Sequence, residues 1–597
     1  MALNDIAPLL IYLAVGLPWV GAFLVWIIGD NRPRWQHITA ITLSLTAAGA
    51  ALLLLSQTLW YSTTEVVVRL PFGPFFGDMT LVADGLSVFL TVIATTIGSL
   101  AVIFSAGYMA GSPQLGRYYA LVLLFIGSMC GLVLSGNLLF LFLFWEATAF
   151  CSYALISFHN DDPKAVSAGI KALIVTQLGG VGLLLGVLMV IGYIPDLQVS
   201  TLLAQASAIP AGILAITAFG FLFAATAKSA QVPLHIWLPD AMEAPTPVSA
   251  LIHAATMVNA GVYLLARFYP AFMNVPLWAE TVVTLGLVSA ALAALMAVFS
   301  NDLKRILAYS TVSQLGYMVV GVGIGAIYQS QFYLMSHAIF KALLFLCAGA
   351  IIHEIGTRDI REMGGLWKRL PQVAIPFVIG AAALTGLPFF NGFWSKELLI
   401  EASLAYNSLI FGTLVVVAGI TGFYTFRMCW MVFWAKPAPV QPPARARVGY
   451  PMMLPLIVLA IGTSTSWLFA RQLAAWFSET MPFHTAFLLQ GHGIDHLLEL
   501  SSLLSLTTGI TLIATVTGIL LSIWFIRKDP SRTGSGAVAS FIMRLENIFN
   551  TTADGMVTVT QSTAALLQKT QTGQLNWNIV AIVMALISLL AILIGIR

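Results

Sequence analysis

A succession of long apolar runs is the feature that most constrains this chain. Hydrophobic residues make up 59% and charged residues 9% of its 597 positions, whereas an average soluble domain carries about 25% charged residues. A soluble globule of this size would lack the charged surface it needs, and this excludes a cytosolic enzyme. Since roughly 20 apolar residues cross a bilayer as a helix, the chain is long enough to cross a membrane well over a dozen times.

Sixteen apolar runs, separated by polar, proline or glycine breaks, are long enough to be transmembrane helices. They are too long and alternate too little for membrane β-strands, so strands are not expected. We therefore predict an all-α polytopic membrane protein of about 16 transmembrane helices. The predicted spans are 8–28, 36–56, 84–107, 118–133, 136–157, 168–193, 211–229, 245–266, 281–299, 306–325, 331–353, 372–401, 406–433, 451–470, 504–526 and 577–595.

A weak internal repeat relates the middle spans. Lys171-Ala-Leu-Ile in span 6 recurs as Lys341-Ala-Leu-Leu in span 11, and Lys228 in span 7 and Lys396 in span 12 each lie beside a proline or glycine break. Spans five apart run in opposite directions, so the match predicts two inverted repeats with broken helices 7 and 12. The predicted segments are helices 1–3 (1–115), the first repeat (116–270), the second repeat (271–433), helices 14–15 (434–526), a lateral segment (527–576) and helix 16 (577–597).

The distribution of cations predicts the orientation. Connections are numbered here by the span that precedes them. The odd-numbered connections hold eighteen Lys and Arg residues and the even-numbered ones three. Cytoplasmic connections are rich in Lys and Arg, so we expect the odd connections in the cytoplasm of a bacterial inner membrane and both termini outside.

The last odd connection, 527–576, carries apolar residues at roughly helical spacing with Thr, Gln and Asn between them. This pattern predicts an amphipathic helix lying along the membrane surface or against partner subunits. A loosely structured linker is the alternative.

Two lone opposite charges lie within apolar spans and mark a candidate ion-handling site. Glu146 is in the middle of span 5, and Lys228 precedes the break at Pro233. Charges at the bilayer centre cost about 2.5–3.5 kcal/mol even on the lenient insertion scale, so they are functional candidates by default. We expect an ion pair across neighbouring helices, in which the lysine loads and releases a proton as its partner moves. A static salt bridge is the alternative.

Further polar residues lie in spans 8, 11 and 12. His253 is alone in span 8, whereas Tyr333, His337 and Lys341 follow one another at four-residue spacing in span 11. This spacing places them on one face of a helix, where they would form a polar stripe. Span 10 has a similar stripe of hydroxyls, Ser310, Ser313 and Tyr317. Such stripes either hold water wires between titratable groups or make ordinary helix–helix hydrogen bonds.

No redox, metal or nucleotide site is recognisable, so we expect no cofactor and no metal. The four cysteines form no Cys-x-x-Cys pair, and Gly321-Val-Gly-Ile-Gly325 lacks the strand–turn–helix context of a dinucleotide fingerprint. The net charge of +3 does not suggest a nucleic-acid partner. In connection 14, His484, His492 and His496 are interpreted as solvated loop residues rather than metal ligands.

Three motifs resemble the antiporter-like subunits of respiratory complex I and of the Mrp cation/proton antiporters. They are the segment 233–264, which begins Pro-Leu-His-Ile-Trp-Leu-Pro-Asp, the run Leu303-Lys-Arg-Ile-Leu-Ala-Tyr-Ser, and Asn391-Gly-Phe-Trp-Ser-Lys-Glu397. The resemblance covers nearly the whole chain, including the lateral helix and sixteenth span of complex I subunit L (chain 5) and of its Mrp counterpart, MrpA, whose N-terminal part is the similar one.

The resemblance implies a role for each matching residue. The proton path would use Glu146 and Lys228 as the first pair, His253 as the link, His337 and Lys341 at the centre, and Lys396 and Glu397 at the second broken helix. Two positions depart from subunit L. Tyr333 stands where a second histidine is frequent, and span 6 reads Gln177-Leu-Gly-Gly180 where Arg and Asp are usual. The parent complex therefore stays open.

The implied function is proton translocation through half-channels joined by a buried Glu/Lys/His axis. The partners would be other membrane subunits and the lipid bilayer, and the ions H⁺ and, in an Mrp-type antiporter, Na⁺. Energy would come from a redox subunit elsewhere or from an ion gradient. Two alternatives remain: an energy-coupling subunit for inorganic-carbon uptake, and a non-conducting structural subunit whose buried charges are static.

Overall fold

The computed structural model describes residues 6–60, 65–72, 78–436, 448–481, 483–484, 505–528 and 537–568. Fourteen helices within these ranges are long and apolar enough to cross a membrane. They coincide with fourteen of the predicted spans. The predicted twelfth span is a pair of shorter helices, and the sixteenth lies outside the described residues.

The α-helices are α1 (Ala7–Ile28), α2 (Pro33–Trp60), α3 (Gly85–Tyr108), α4 (Leu115–Leu134), α5 (Leu138–Ile156), α6 (Pro163–Val190), α7 (Val199–Gln205), α8 (Ala211–Lys228), α9 (Trp237–Asp240), α10 (Thr246–Ala250), α11 (Met257–Phe272), α12 (Trp278–Phe299), α13 (Leu303–Gly323), α14 (Ile327–Ile355), α15 (Leu366–Arg369), α16 (Pro371–Thr385), α17 (Asn391–Tyr406), α18 (Ser408–Cys429), α19 (Tyr450–Thr465), α20 (Ala470–Thr480), α21 (Leu506–Lys528) and α22 (Ala537–Gln568).

Both predicted helix breaks are present. Helix α8 ends at Lys228 and is followed by irregular backbone, in which Ala230 has a φ of 49°. Helix α16 ends at Thr385, where Gly386 has a φ of 79°, and α17 begins five residues later. Gly386 is suited to this position because a residue without Cβ adopts positive φ at little cost. A third irregularity, a π-helical turn over Leu251–Ala255, separates α10 from α11.

One expectation was wrong, since a small β-hairpin lies between α2 and α3. Strand β1 (Val66–Pro71) pairs antiparallel with β2 (Asp78–Ala83), with Val68 opposite Leu81. The run Val66-Val-Val is β-branched and favours a strand. Periodicity did not identify it, because six residues are too few to distinguish a strand from the apolar flank of a helix.

Ion pairs join the odd-numbered connections at one end of the helices. Asp240, at the end of α9, accepts from Lys171 at 2.8 Å and from Arg305 at 3.0 Å. Arg358, beyond α14, pairs with Glu243 at 2.9 Å. Connections 7, 9 and 11 are therefore held together on the same side, as an up-and-down succession of spans requires.

A buried ion pair lies at the opposite end, where even-numbered connections meet. Asp84 caps the N-terminus of α3 by accepting from the backbone N–H of Ser87 at 2.9 Å. Arg267 of α11 donates to both carboxylate oxygens of Asp84. A carboxylate that holds a helix cap and a two-pronged guanidinium has most of its lone pairs satisfied, and this compensates for its burial.

The chain after α20 packs onto the same cluster through His484. Its Nε2–H donates to the backbone oxygen of Ala266 at 2.9 Å, and the side chain is buried. Burial and the charge of Arg267 lower the pKa of His484 to about 4. The interpretation of His484 as a solvated loop residue was therefore wrong. His492 and His496 lie outside the described residues.

The predicted lateral segment is helical over α22, which has 32 residues and is thus about 48 Å long at 1.5 Å per residue. Its helical character is confirmed. Its position along the membrane or against partner subunits stays a prediction.

The stability of the folded chain should fall in acid because of His484. Its folded-state pKa lies below the ordinary value, so between about pH 6.5 and about pH 4 the unfolded chain binds a proton that the folded chain does not. The stabilisation is complete above this range and is lost as the pH falls through it. We expect the thermal unfolding midpoint of the detergent-purified protein to fall more steeply over this range than that of His484→Gln. Equal pH slopes for the two proteins would contradict the assignment.

Candidate functional site

The first candidate residue, Glu146, is in the middle of α5. Asn137 starts this helix, since its side-chain oxygen accepts from the backbone N–H groups of Leu139 and Phe140 at 2.9 and 3.3 Å. The Glu146 side chain points towards α6, where a Cβ built on Gly180 would overlap Oε1 of the carboxylate. The glycine that replaces the usual charged residues of span 6 thus makes room for the carboxylate.

Glycines on α6 also allow α8, and with it Lys228, to approach closely. A Cβ on Gly182 would lie 2.9 Å from the backbone oxygen of Gly220, and a Cβ on Gly179 would lie 3.2 Å from the Cα of Ala224. Small residues at such positions let membrane helices pack backbone against backbone. The sequence Gln177-Leu-Gly-Gly180 therefore has a packing explanation.

Lys228, the last residue of α8, is buried and contacts α5. Its Nζ donates to the backbone oxygen of Trp145 at 2.5 Å and lies 4.2 Å from the centre of the Trp145 ring. A carbonyl and the face of an indole both stabilise an ammonium group. The neighbouring charge of Glu146 interacts with it electrostatically.

The expected direct ion pair is absent from this structure. Among the described residues, no salt bridge joins Lys228 to Glu146, and Glu146 Oε1 is buried without a hydrogen-bond partner. The physical reason is position, because the lysine reaches the carbonyl of the preceding residue on α5 while Glu146 faces α6. The two charges are close neighbours but are not locked together.

A second group of candidates forms a buried row across α11, α13, α14 and α17. His253 interacts electrostatically with Lys341, His337 with both Lys341 and Lys396, and Lys341 with Lys396. All four side chains are buried. The structure therefore brings together residues that lie up to 143 positions apart in the sequence.

The two histidines have free ring nitrogens within the described part of the chain. Neither Nδ1 nor Nε2 of His253 or of His337 has a hydrogen-bond partner there. His253 stacks on Phe345 with a centroid distance of 5.3 Å, and this contact orients the imidazole without engaging its nitrogens. Imidazole nitrogens in this state can accept and release protons through water.

The polar stripe of α14 is confirmed, and it meets α13. Lys341 Nζ donates to the backbone oxygen of Leu307 at 3.1 Å and to the hydroxyl of Ser310. The hydroxyl of Tyr333, which replaces the second histidine, donates to Gln314 Oε1. Tyr333 therefore keeps a polar group next to the row, although not a titratable imidazole.

The hydroxyl stripe of α13 is divided between two uses. Ser310 contacts Lys341, whereas Ser313 donates to the backbone oxygen of Ala290 at 2.9 Å and Tyr317 to that of Leu414 at 2.6 Å. The last two are ordinary helix–helix hydrogen bonds. Only Ser310 belongs to the row.

The second helix break supplies the acceptor for Lys396. Its Nζ donates to the backbone oxygen of Leu384 at 2.8 Å, in the last turn of α16. The last carbonyls of a helix have no intrahelical partner and carry partial negative charge, so they suit a cation. The adjacent Glu397 accepts from the Thr508 hydroxyl at 3.1 Å.

Lys304 is a candidate that sequence reasoning missed, since it was counted with the cations of connection 9. The structure buries it in the first turn of α13, where Nζ donates to the backbone oxygens of Met242 and Ala244 at 2.6 and 2.7 Å. It is also an electrostatic neighbour of His253. The available signal was the pair Lys304-Arg305 next to the cap Asp302, because adjacent helical residues point in different directions and one of the two must face inwards.

Comparisons with known proteins agree with these features. Residues 135–421 match the family described as NADH:quinone oxidoreductase/Mrp antiporter, TM, and residues 70–119 match NADH-Ubiquinone oxidoreductase (complex I), chain 5 N-terminus. NAD(P)H-quinone oxidoreductase chain 5 of Synechocystis sp. is 42% identical over 442 residues, which are 70% of this chain and 65% of that protein. NADH-quinone oxidoreductase subunit L of Pseudomonas aeruginosa is 42% identical over 452 residues, or 74% of this chain and 72% of that one.

A solved structure shows the same architecture. A chain of the Mrp complex from Dietzia sp. matches with a TM-score of 0.77 and 27% identity, covering 98% of this chain and 63% of that one. This chain thus spans a little under two thirds of the length of that Mrp chain and of the Synechocystis relative. On its identity to subunit L, its motifs and its fold, the chain belongs to the family of antiporter-like membrane subunits found in NADH:quinone oxidoreductase and Mrp antiporters.

Proposed function

We propose that this chain translocates protons as a membrane subunit of a larger assembly, either a complex I-like redox pump or an Mrp-type Na⁺/H⁺ antiporter. The observation that supports this most is how the buried lysines are held. Lys228 and Lys396 donate to backbone oxygens rather than to carboxylates. A carbonyl accepts a hydrogen bond from a charged or a neutral amine, so the lysine can change its charge without losing its partner.

The central row adds mutual repulsion. Lys341 and Lys396 interact as like charges in a region without bulk water. Coulomb repulsion in a low dielectric opposes charging both at once, so a proton gained at one site favours release at the next. This coupling is what a proton relay requires. A static structural subunit would instead pair each buried charge with an opposite one.

The proposed roles follow the path. Glu146 and Lys228 would be the first titrating pair, and His253 the link to the centre. His337 and Lys341 would carry the proton across α14, and Lys396 with Glu397 would exchange it at the second break. The printed names of the relatives include quinone oxidoreductase and Na⁺/H⁺ antiporter subunits, and this supports membrane subunits of such assemblies as partners. It does not favour the inorganic-carbon alternative.

The cation bias further supports a bacterial inner-membrane location with odd-numbered connections in the cytoplasm and both termini outside. Cysteine labelling tests this orientation. Asp161 in connection 5 and Ser207 in connection 6 are exposed, and the native cysteines are all buried. We expect an impermeant thiol reagent on whole cells to label Ser207→Cys and not Asp161→Cys. The reverse pattern would contradict the orientation.

Removal of the lysine carrier tests the mechanism. We expect Lys228→Met to lower proton flux about tenfold or more in proteoliposomes that contain the whole complex, normalised to assembled protein. Glu146→Gln should lose a comparable share because it removes the neighbouring charge, while Glu146→Asp should keep part of the flux. Lys164→Met, the same substitution at an exposed lysine, is the control and should be unaffected. Parental flux in Lys228→Met would mean that the pair is structural.

Crowding of Glu146 gives an independent test. A methyl group on Gly180 would overlap its carboxylate, whereas a methyl on Gly49 of α2 meets nothing within 4 Å. We expect Gly180→Ala to reduce proton flux severalfold, because it displaces Glu146, and Gly49→Ala to leave it unchanged. Equal fluxes in the two variants would show that the position of this carboxylate does not matter.

A further inference from the structure

The carboxylate of Glu397 is connected to α21 through two hydroxyl groups. Ser505 Oγ donates to Thr508 Oγ1 at 2.8 Å, and Thr508 Oγ1 donates to Glu397 Oε1 at 3.1 Å. The three side chains form one continuous chain of hydrogen bonds between two helices that are more than a hundred residues apart in the sequence.

The chain runs from a buried site towards an end of the helices. Glu397 is 5% exposed and Thr508 is 2% exposed, whereas Ser505, just before the first turn of α21, is partly exposed. Connection 14, which leads into α21, is even-numbered. The hydroxyls therefore lead from Glu397 towards the end of the helices at which the even-numbered connections lie.

The direction of the Thr508 bond is unusual for this protein. Threonines within its membrane helices typically donate to a backbone oxygen of their own helix, as Thr511 does to Thr507 at 3.0 Å and Thr421 to Val417 at 2.9 Å. Thr508 instead directs its proton to a carboxylate on another helix. The charged neighbours of Glu397 are Lys396 and Glu401, both on α17, so α21 contributes only hydroxyl groups.

Resting on the proposed function, we infer that Ser505 and Thr508 are the route by which Glu397 exchanges protons with the even-numbered side of the membrane. The hydroxyl proton of Thr508 moves to Glu397 Oε1 while that of Ser505 moves to Thr508 Oγ1. Ser505 then takes a proton from water. Each hydroxyl loses one proton and gains one, and the carboxylate becomes a carboxylic acid. The reverse sequence releases the proton.

Conservative substitutions at Thr508 test this route. Thr508→Val removes the hydroxyl and keeps the shape, so we expect proton flux through the assembled complex in proteoliposomes to fall about tenfold. Thr508→Ser restores a hydroxyl and should stay within about twofold of the parent. Thr515→Val is the matched control, because Thr515 is also buried on α21 but makes no hydrogen bond to Glu397; its flux should not change.

Including Lys228→Met in the same assay separates the two proposals. Parental flux in Thr508→Val, with flux lost in Lys228→Met, would overturn the hydroxyl route and leave the proposed function standing. Parental flux in Lys228→Met would overturn both. If Thr508→Ser is as impaired as Thr508→Val, or Thr515→Val loses as much flux, Thr508 acts through packing and the route is wrong.

Discussion

The absence of water from the bilayer interior is the constraint on which this structure depends. A polar group there must find its partner within the protein, and an unpaired charge is costly. Four of the buried lysines donate to a backbone oxygen: Lys228 to Trp145, Lys304 to Met242 and Ala244, Lys341 to Leu307, and Lys396 to Leu384. Irregular backbone supplies several of these acceptors, because a carbonyl at a helix end is not used by the helix.

This arrangement connects the helix breaks to the chemistry. The break after α16 frees the Leu384 oxygen that holds Lys396, and the π-helical turn carries His253. Charges that do have full ionic partners, such as Arg267 with Asp84, lie near the ends of the helices and anchor connections. The protein thus separates paired charges, which hold it together, from lysines and histidines without a direct ionic partner, which are available for proton movement.

Much of the site could be predicted from the sequence because burial of a charge is visible in one dimension. Glu146, Lys228, Lys341 and Lys396 stand out as ionisable residues in apolar runs. The stripe of Tyr333, His337 and Lys341 follows from helical geometry alone. Lys304 did not stand out, because a cation at the edge of a span has the same local sequence whether it faces solvent or the protein interior.

The sequence by itself determined the membrane spans, the breaks and the residues that are costly to bury, since these depend on local composition and on the thickness of the bilayer. Tertiary structure alone decided which atoms hold those residues. Lys228 contacts the Trp145 oxygen rather than Glu146, and His484 is buried against Ala266. Side chains of Thr508 and Glu397 meet only because α21 packs against α17. Contacts between distant helices depend on the fit of whole helix faces, and no short stretch of sequence encodes that fit.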